Sequence, residues 1–576
     1  MSALPPFLIF FLGALFMAVA RKETRGPILA LVPVLGLANL VLMPKGATVT
    51  ASVVGHELTL FQADEMSFLF LVLFHVAAFI GGLFSMHVDR PGQHAASLLY
   101  AGSAIGAVAA GDLISLFLFW EVMAVSSAFL VWGRGTDRSW RAGNRYIGWQ
   151  IVSGLLLLGG IAWFQSATGE ITLSAVADAV KAQGMSAPGA WLILLGIGTK
   201  ACFPFLHTWL VDAYPEATPT GAVWLSSFTT KAAVYCLARM FPGQHELVII
   251  GAIMAGFPIF FAVIENDMRR VLGYSMINQI GFMLVGIGIG TDLAVNGAVA
   301  HAFNDVLFKG LLFMTMGSVL QQTGKIHASD LGGLAKTMPW TARFCLVGAA
   351  SISAFPLFSG FVSKSMIMAA CLDPEVHLTW VWFILLFAAA GVFHHAGIKI
   401  PFFAFYGHDS KIPATDPPKN QLFAMGLAAT LCVVIGTFPG ATLYKLLPFP
   451  NSYNPYDVTH VLTQLQLLFF SALAFTWLQR SGLYPPELHS TNLDSDWILR
   501  RPALRAWRRS AAAGSLALAS AKRFAVGRLK GIDYYMRNNA GPYGVMTKTW
   551  PTGVMMVWVA AMLIGYLLLY YVQDVG

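Results

Sequence analysis

The chain has 576 residues, of which 57% are hydrophobic and only 11% charged, with a mean hydropathy of +0.66 and a formal net charge of +8. Soluble domains carry about 25% charged residues, so this composition excludes a globular enzyme, with or without an anchor. The five cysteines are scattered and form no CxxC pair, so no disulfide framework, zinc site, iron–sulfur site or other cofactor is expected. The positive charge falls in loops and one late segment, a pattern of topology and lipid contact rather than of nucleic-acid binding.

The first apolar run, 4–20, precedes Arg21-Lys22-Glu23-Thr24-Arg25. A secretory signal carries its charge before the apolar core, so this run reads as a retained first helix. Further runs of spanning length lie near 27–43, 66–86, 96–111, 113–132, 146–165, 190–210, 218–240, 246–264, 271–290, 293–319, 340–366, 378–405, 420–438, 460–478 and 552–572. At about 20 residues per span this predicts an all-α polytopic membrane protein of about sixteen transmembrane helices.

With the N-terminus outside, the inner loops hold Arg21, Lys22, Arg25, Arg90, Arg134, Arg138, Arg141, Arg145, Arg269, Arg270, Lys325, Lys336, Lys411 and Lys419. The outer loops hold little beyond Lys45, Lys181 and Lys445. The positive-inside rule then places both termini outside, in a bacterial cytoplasmic (inner) membrane. Residues 479–551 are the one long non-spanning stretch. From 498 to 538 they are rich in Arg, Lys, Ala and Leu, expected as a helix along the inner membrane surface against anionic lipid.

Five lysines interrupt the apolar runs: Lys200, Lys231, Lys309, Lys364 and Lys399. Unpaired at mid-bilayer depth they would cost on the order of 12–18 kcal/mol together. They must be hydrated, paired or used, and their spread over many helices suggests a route rather than a pocket.

Glu121 is the only acid deep in the fifth run and would either protonate, bonded to Ser126 or Ser127, or pair with a lysine of a neighbouring helix. The seventh run is Thr199-Lys200-Ala-Cys-Phe-Pro204-Phe-Leu-His207. Pro204 cannot donate to the carbonyl of Lys200, so the helix should break at the lysine. Such breaks survive at membrane depth only when buried in protein or facing water, and they mark ion sites in transporters. Lys231 follows a hydroxyl-rich stretch, Ser226 to Thr230.

His301, Asp305 and Lys309 are spaced i, i+4, i+8 and form one polar stripe. The stripe reads either as a proton relay or as an Asp305–Lys309 salt bridge that satisfies itself. Ser351 to Lys364 is a second Pro/Gly-broken helix. An odd number of helices separates the two breaks, so they cross in opposite directions, as in an inverted repeat. Lys364 reads as a relay group or as a terminal snorkelling lysine. His394 and His395 point about 100° apart and are no metal pair, and Lys399 is expected to reach the inner surface.

The Glu121 helix, the Lys200…Pro204…His207-Thr-Trp209-Leu210 run with its Ala217-Thr-Pro219-Thr turn, and the His301…Lys309-Gly-Leu-Leu-Phe run resemble the antiporter-like membrane subunits. This family is shared by Mrp-type cation/proton antiporters and respiratory complex I, and the details look most like the D-type branch of the Mrp subunits. The resemblance implies two inverted five-helix units with a charged chain along the midplane. Glu121 then pairs with Lys200, and Lys231, His301, Lys309 and Lys364 continue the relay, with Asp305 where a second His is frequent. The C-terminal surface segment and last helix are similar in position to the lateral helix of the largest such complex I subunit.

The organisation expected is 1–95, N-terminal helices; 96–240 and 246–405, the two repeats; 420–478, two helices; 479–551, the basic surface segment; and 552–576, the last helix. The function expected is a proton-conducting subunit of a multi-subunit Na⁺/K⁺:proton antiporter, with protons, a monovalent cation and other membrane subunits as partners. His207, His394, His395 and Lys399 are accessory candidates. No catalytic chemistry of its own is expected, unless the chain belongs to a complex I-like translocase. The alternatives are a subunit of a complex I-like or membrane-bound hydrogenase complex, a proton-coupled inorganic-carbon uptake subunit, and a non-conducting scaffold.

Overall fold

Each apolar run becomes a helix or a pair of helices, because backbone in hydrocarbon must satisfy its own N–H and C=O groups. The computed structural model describes residues 4–573 apart from Lys45, Val54 and Thr491. Lys45, counted above among the outer-loop charges, therefore lies outside the described residues. The chain divides into a unit ending at Asp494 and a unit starting at Ser495.

The first unit begins with α1 (Pro6–Val19) and α2 (Lys22–Leu42), then strands β1 (Thr48–Val53) and β2 (His56–Gln62). Next come α3 (Glu65–Ser85), α4 (Pro91–Ala109), α5 (Leu113–Trp132), α6 (Asp137–Thr168) and the short α7 (Leu173–Gln183). A broken pair follows, α8 (Ala190–Lys200) and α9 (Thr208–Ala213), then α10 (Pro219–Ser227) and α11 (Thr229–Met240). The second half has α12 (His245–Gly256), α13 (Pro258–Ile264), α14 (Met268–Ile289), α15 (Asp292–Thr323), and the broken pair α16 (Pro339–Ile352) and α17 (Ser359–Cys371). It closes with α18 (Thr379–Val392), π-helical turns over Phe393–Lys399 and Phe402–Tyr406, α19 (Lys419–Thr437) and α20 (Val458–Arg480).

Among the described residues, eleven helical stretches are long and apolar enough to cross a membrane. The remaining runs fall on the short α1, on α4, and on the interrupted pairs α8/α9, α10/α11 and α16/α17.

The all-α expectation needs one correction. Strands β1 and β2 pair as an antiparallel hairpin, because Thr, Val, Ser and Leu alternate there with period two and Gly55 turns at φ +81°. The hairpin fixes the start of α5. Thr59 donates its N–H to Asp112 Oδ2 at 2.6 Å and accepts from Gly111 N–H at 2.9 Å, while Asp112 caps α5 through Ser115 N–H.

The two breaks are built alike. Cys202-Phe203-Pro204-Phe205 and Ala354-Phe355-Pro356-Leu357 each place positive φ on the residues flanking Phe-Pro: 65° and 68° in the first, 56° and 74° in the second. Such conformations cost on the order of 1–3 kcal/mol each and persist only when the surroundings impose them. The hydrogen bonds match step for step. Phe203 N–H donates to Gly198 O and Leu206 N–H to Phe203 O; Phe355 N–H donates to Ala350 O and Phe358 N–H to Phe355 O.

Arginines gather at one end of this unit. Arg90 donates to Gly133 O, Arg134 and Arg138 pair with Glu216, and Arg145 pairs with Asp212. Arg269, expected as a loop charge, is fully buried and donates to the carbonyls of Tyr214, Ala217 and Thr218.

The second unit holds a single turn α21 (Asp496–Ile498), the helix α22 (Leu504–Ala540) and α23 (Thr552–Gln573). The basic stretch expected as a surface helix forms α22.

Candidate functional site

Lys200 is the last residue of α8, where the Pro204 break begins. Trp209 Nε1 donates to Thr199 O at 2.8 Å across the break and holds it in place. The Lys200 ammonium is fully buried, donates to Trp120 O on α5 at 2.8 Å and sits 4.2 Å from the Trp120 ring centroid. Glu121 is the next residue of α5, yet among the described residues no ion pair joins it to Lys200, and its Oε1 is buried without a hydrogen-bond partner. The alternative in which Ser126 or Ser127 satisfies it does not hold. Those hydroxyls donate to the Val122 and Ala124 carbonyls, and Ser127 also meets Tyr146 Oη. The carboxylate instead lies over Gly154 of α6, where a β-carbon would fall 1.9 Å from Oε1.

Lys231, two residues into α11, donates to Ser226 O at 3.1 Å and pairs with Asp305 Oδ2 of α15 at 2.5 Å, with both side chains fully buried. This overturns the self-satisfying Asp305–Lys309 bridge. The i, i+4 spacing puts those two residues on one face, but Asp305 closes on Lys231 of the other half. Lys309 Nζ donates instead to Ser275 Oγ of α14 at 2.9 Å. His301 bridges Ser363 Oγ at 3.0 Å and Gln279 Oε1 at 3.2 Å. Asn304, also on α15, donates to Ser359 O and Ser363 Oγ and ties the stripe to the second break.

Lys364 does not snorkel. It is 2% exposed, and its ammonium donates to Ile352 O at 2.7 Å. Ile352 is the last residue of α16, where the helix dipole favours a cation. A cavity of about 120 Å³, lined in part by Lys364, Ser365, His460, Thr463 and Gln464, borders it. That is room for several waters among polar partners.

Lys399 also departs from expectation. It is fully buried rather than at the surface, donating to Val263 O and Glu265 O at 2.7 Å each and pairing with Glu487 at 2.9 Å. His394 packs against Phe475 and Tyr484. His395 is fully buried, with neither ring nitrogen partnered among the described residues. Among those residues no group of three His, Cys, Asp or Glu is placed to hold a metal.

Sequence reading missed the partners: the Trp120 carbonyl, Ser275, Gln279, Ser363, and a strap over 484–490 and 492–494. Here Glu487 meets Lys399, His489 meets Asp330, Asn492 donates to Glu265, and Asp494 Oδ2 receives Tyr274 Oη at 2.9 Å and lies 3.1 Å from His207 Nε2. Neutral hydroxyls and carbonyls carry no periodic signal. The one hint was Tyr484-Pro485-Pro486, which follows the turn that ends α20 at Arg480 and keeps the chain from resuming a helix.

The fold and buried charges define a multi-pass membrane protein built around two broken helices. Residues 110–394 match the family described as NADH:quinone oxidoreductase/Mrp antiporter, TM, so the chain carries the membrane domain of that family. It is 28% identical over 388 residues to the A-type Na⁺/H⁺ antiporter subunit of Alkalihalophilus pseudofirmus (61% of this chain, 48% of the relative). It is 32% identical over 286 residues to the D-type subunit of the same organism (46% and 57%). The chain thus spans about half the length of these curated relatives. Among solved structures, a chain of the Mrp complex from Dietzia sp. superposes with TM-score 0.69 at 20% identity, covering 82% of this chain and 98% of that one. A chain of an archaeal membrane-bound sulfane sulfur reductase, a respiratory membrane complex, gives 0.71 at 22% identity, covering 98% and 99%.

Proposed function

We propose that this chain is a proton-conducting subunit of a multi-subunit monovalent cation/proton antiporter. The observation that carries the reading is the row Lys200, Lys231, Lys309 and Lys364, four buried amines of which, among the described residues, only Lys231 is in an ion pair. The others rest on neutral oxygens. A neutral oxygen accepts from an amine in either protonation state, so these lysines can lose and regain protons without stranding a partner. Glu121 biases Lys200 electrostatically. Lys231, His301 and Lys309 carry the proton through the centre, and Lys364 passes it to the cavity beside Gln464 and His460. The arginine-rich end is the inner one by the positive-inside rule, and α22, basic along its length, rests on anionic lipid.

A second reading is favoured by the match to the sulfane sulfur reductase chain, which extends over nearly all of this chain. In that reading the same lysine row is driven by redox chemistry in partner subunits. The deciding experiment expresses the chain with its operon neighbours in antiporter-deficient cells. It then records collapse of a pH gradient in inverted vesicles on adding Na⁺, K⁺ or Li⁺. Collapse with wild type and none with Lys200→Ala supports antiport. An assembled complex that leaves the gradient intact with every cation overturns it in favour of the redox reading.

A further inference from the structure

The conducting row needs a place where protons leave water and start toward Lys200. The end of the first break lies at His207, the residue that precedes α9. His207 is 3% exposed, with its ring edge-on to Phe257. One ring nitrogen, Nε2, lies 3.1 Å from Asp494 Oδ2. The other, Nδ1, is buried with no hydrogen-bond partner among the described residues. Such an imidazole has one nitrogen on an acid and a second free to release a proton inward.

We propose that Asp494 and His207 form the proton-uptake site of this subunit. A proton arriving from water protonates the Asp494 carboxylate and moves to His207 Nε2. The imidazolium then releases its Nδ1 proton toward the helix break that begins at Lys200, which leaves Asp494 as the carboxylate and the ring as the Nε2–H tautomer; a turn of the ring that exchanges its two nitrogens resets the imidazole for the next proton. Tyr274 Oη, donating to the same Oδ2 at 2.9 Å, fixes the carboxylate. Among the described residues, Tyr274 of α14 faces Asp494, with Arg270 and Glu265 beside Tyr274, and Glu265, Asp267 and Asp212, itself paired with Arg145, surround Arg270.

Asp494 belongs to the strap, and the strap is anchored independently of this pair. Glu487 holds Lys399, His489 holds Asp330, and Asn492 donates to Glu265. Changing the carboxyl alone therefore leaves the segment in place. That separates a proton-handling role from a purely structural latch.

This inference rests on the conducting role proposed above, and the test keeps the two apart. Proton flux is measured in inverted vesicles holding the assembled complex, as wild type, Asp494→Asn, Asp494→Glu and Lys200→Ala, with and without acetate as a diffusible acid. Asp494→Asn should slow flux by about tenfold or more and acetate should restore part of it. Asp494→Glu should keep most of the flux, and acetate should do nothing for Lys200→Ala. Wild-type flux in Asp494→Asn overturns the proposal. So does slow flux that acetate leaves unchanged, which marks a latch. If Asp494→Asn does not assemble, Asp494→Glu decides: flux kept supports the proposal, and flux lost in an assembled complex overturns it. A wild-type complex without flux overturns the conducting role itself, and this site with it.

Discussion

Lys231 and Asp305 make a 2.5 Å ion pair between α11 and α15, one residue from each half of the chain, with both side chains wholly buried. By contrast Lys200 donates to a carbonyl and leaves Glu121 unpaired with it. One charge pair is therefore closed while the other is open. Asp305→Asn strands the Lys231 ammonium in a fully buried site. The expected loss is about 3–5 kcal/mol of stability, read as a lowered melting temperature of the purified complex. The double variant Lys231→Gln/Asp305→Asn should recover most of that stability without recovering proton flux. Full flux in the double variant would remove the pair from the path.

Gly154→Ala tests how Glu121 is seated. A β-carbon 1.9 Å from Glu121 Oε1 must displace the carboxylate. Proton flux should fall about tenfold, roughly 1.4 kcal/mol of barrier, while the complex still assembles. Unchanged flux would mean that the position of Glu121 does not govern the Lys200 step.

The cavity beside Lys364 gives an outlet prediction. Gln464 donates to Ser353 O and lines the space. Replacing it with Leu makes that wall apolar and dries it. Flux should slow several-fold, with Na⁺ or K⁺ dependence unchanged. Equal slowing of assembly and flux would instead assign Gln464 to packing.

The strap should respond to pH. Burial pushes the Glu487 carboxyl above its ordinary 4.5, against the pull of Lys399. A carboxyl raised in the docked state holds its proton more tightly there than in the released state. Docking is therefore strongest below the ordinary value and weakens as pH rises through the raised one. Hydrogen exchange over 484–494, corrected for intrinsic rates, should be faster at pH 8 than at pH 5. Glu487→Gln should abolish the difference.

Much of this was legible in the sequence where a residue conflicted with its surroundings. Pro204 beside Lys200 announced the first break, and Pro356 with Gly360 the second, because proline cannot complete the helix. Five lysines stood out in apolar runs because their burial is costly, and four of them form the proposed row. Partners were not legible. Asp305 faces both Lys309 along its own helix and Lys231 across the bundle, and only packing selects between them. Lys399 looked terminal because the chain that covers it, at Glu487, comes nearly ninety residues later. The hairpin of β1 and β2 shows its period-two alternation in the sequence, but its strands of six and seven residues are short beside the apolar runs around them.

The Arg269 guanidinium has a mechanical meaning. Bound to three carbonyls at the junction of α9 and α10, and flanked by Glu216 held by Arg134 and Arg138, it bolts the first half of the chain to α14 of the second. Any movement of one half against the other must pivot about this end or break these contacts.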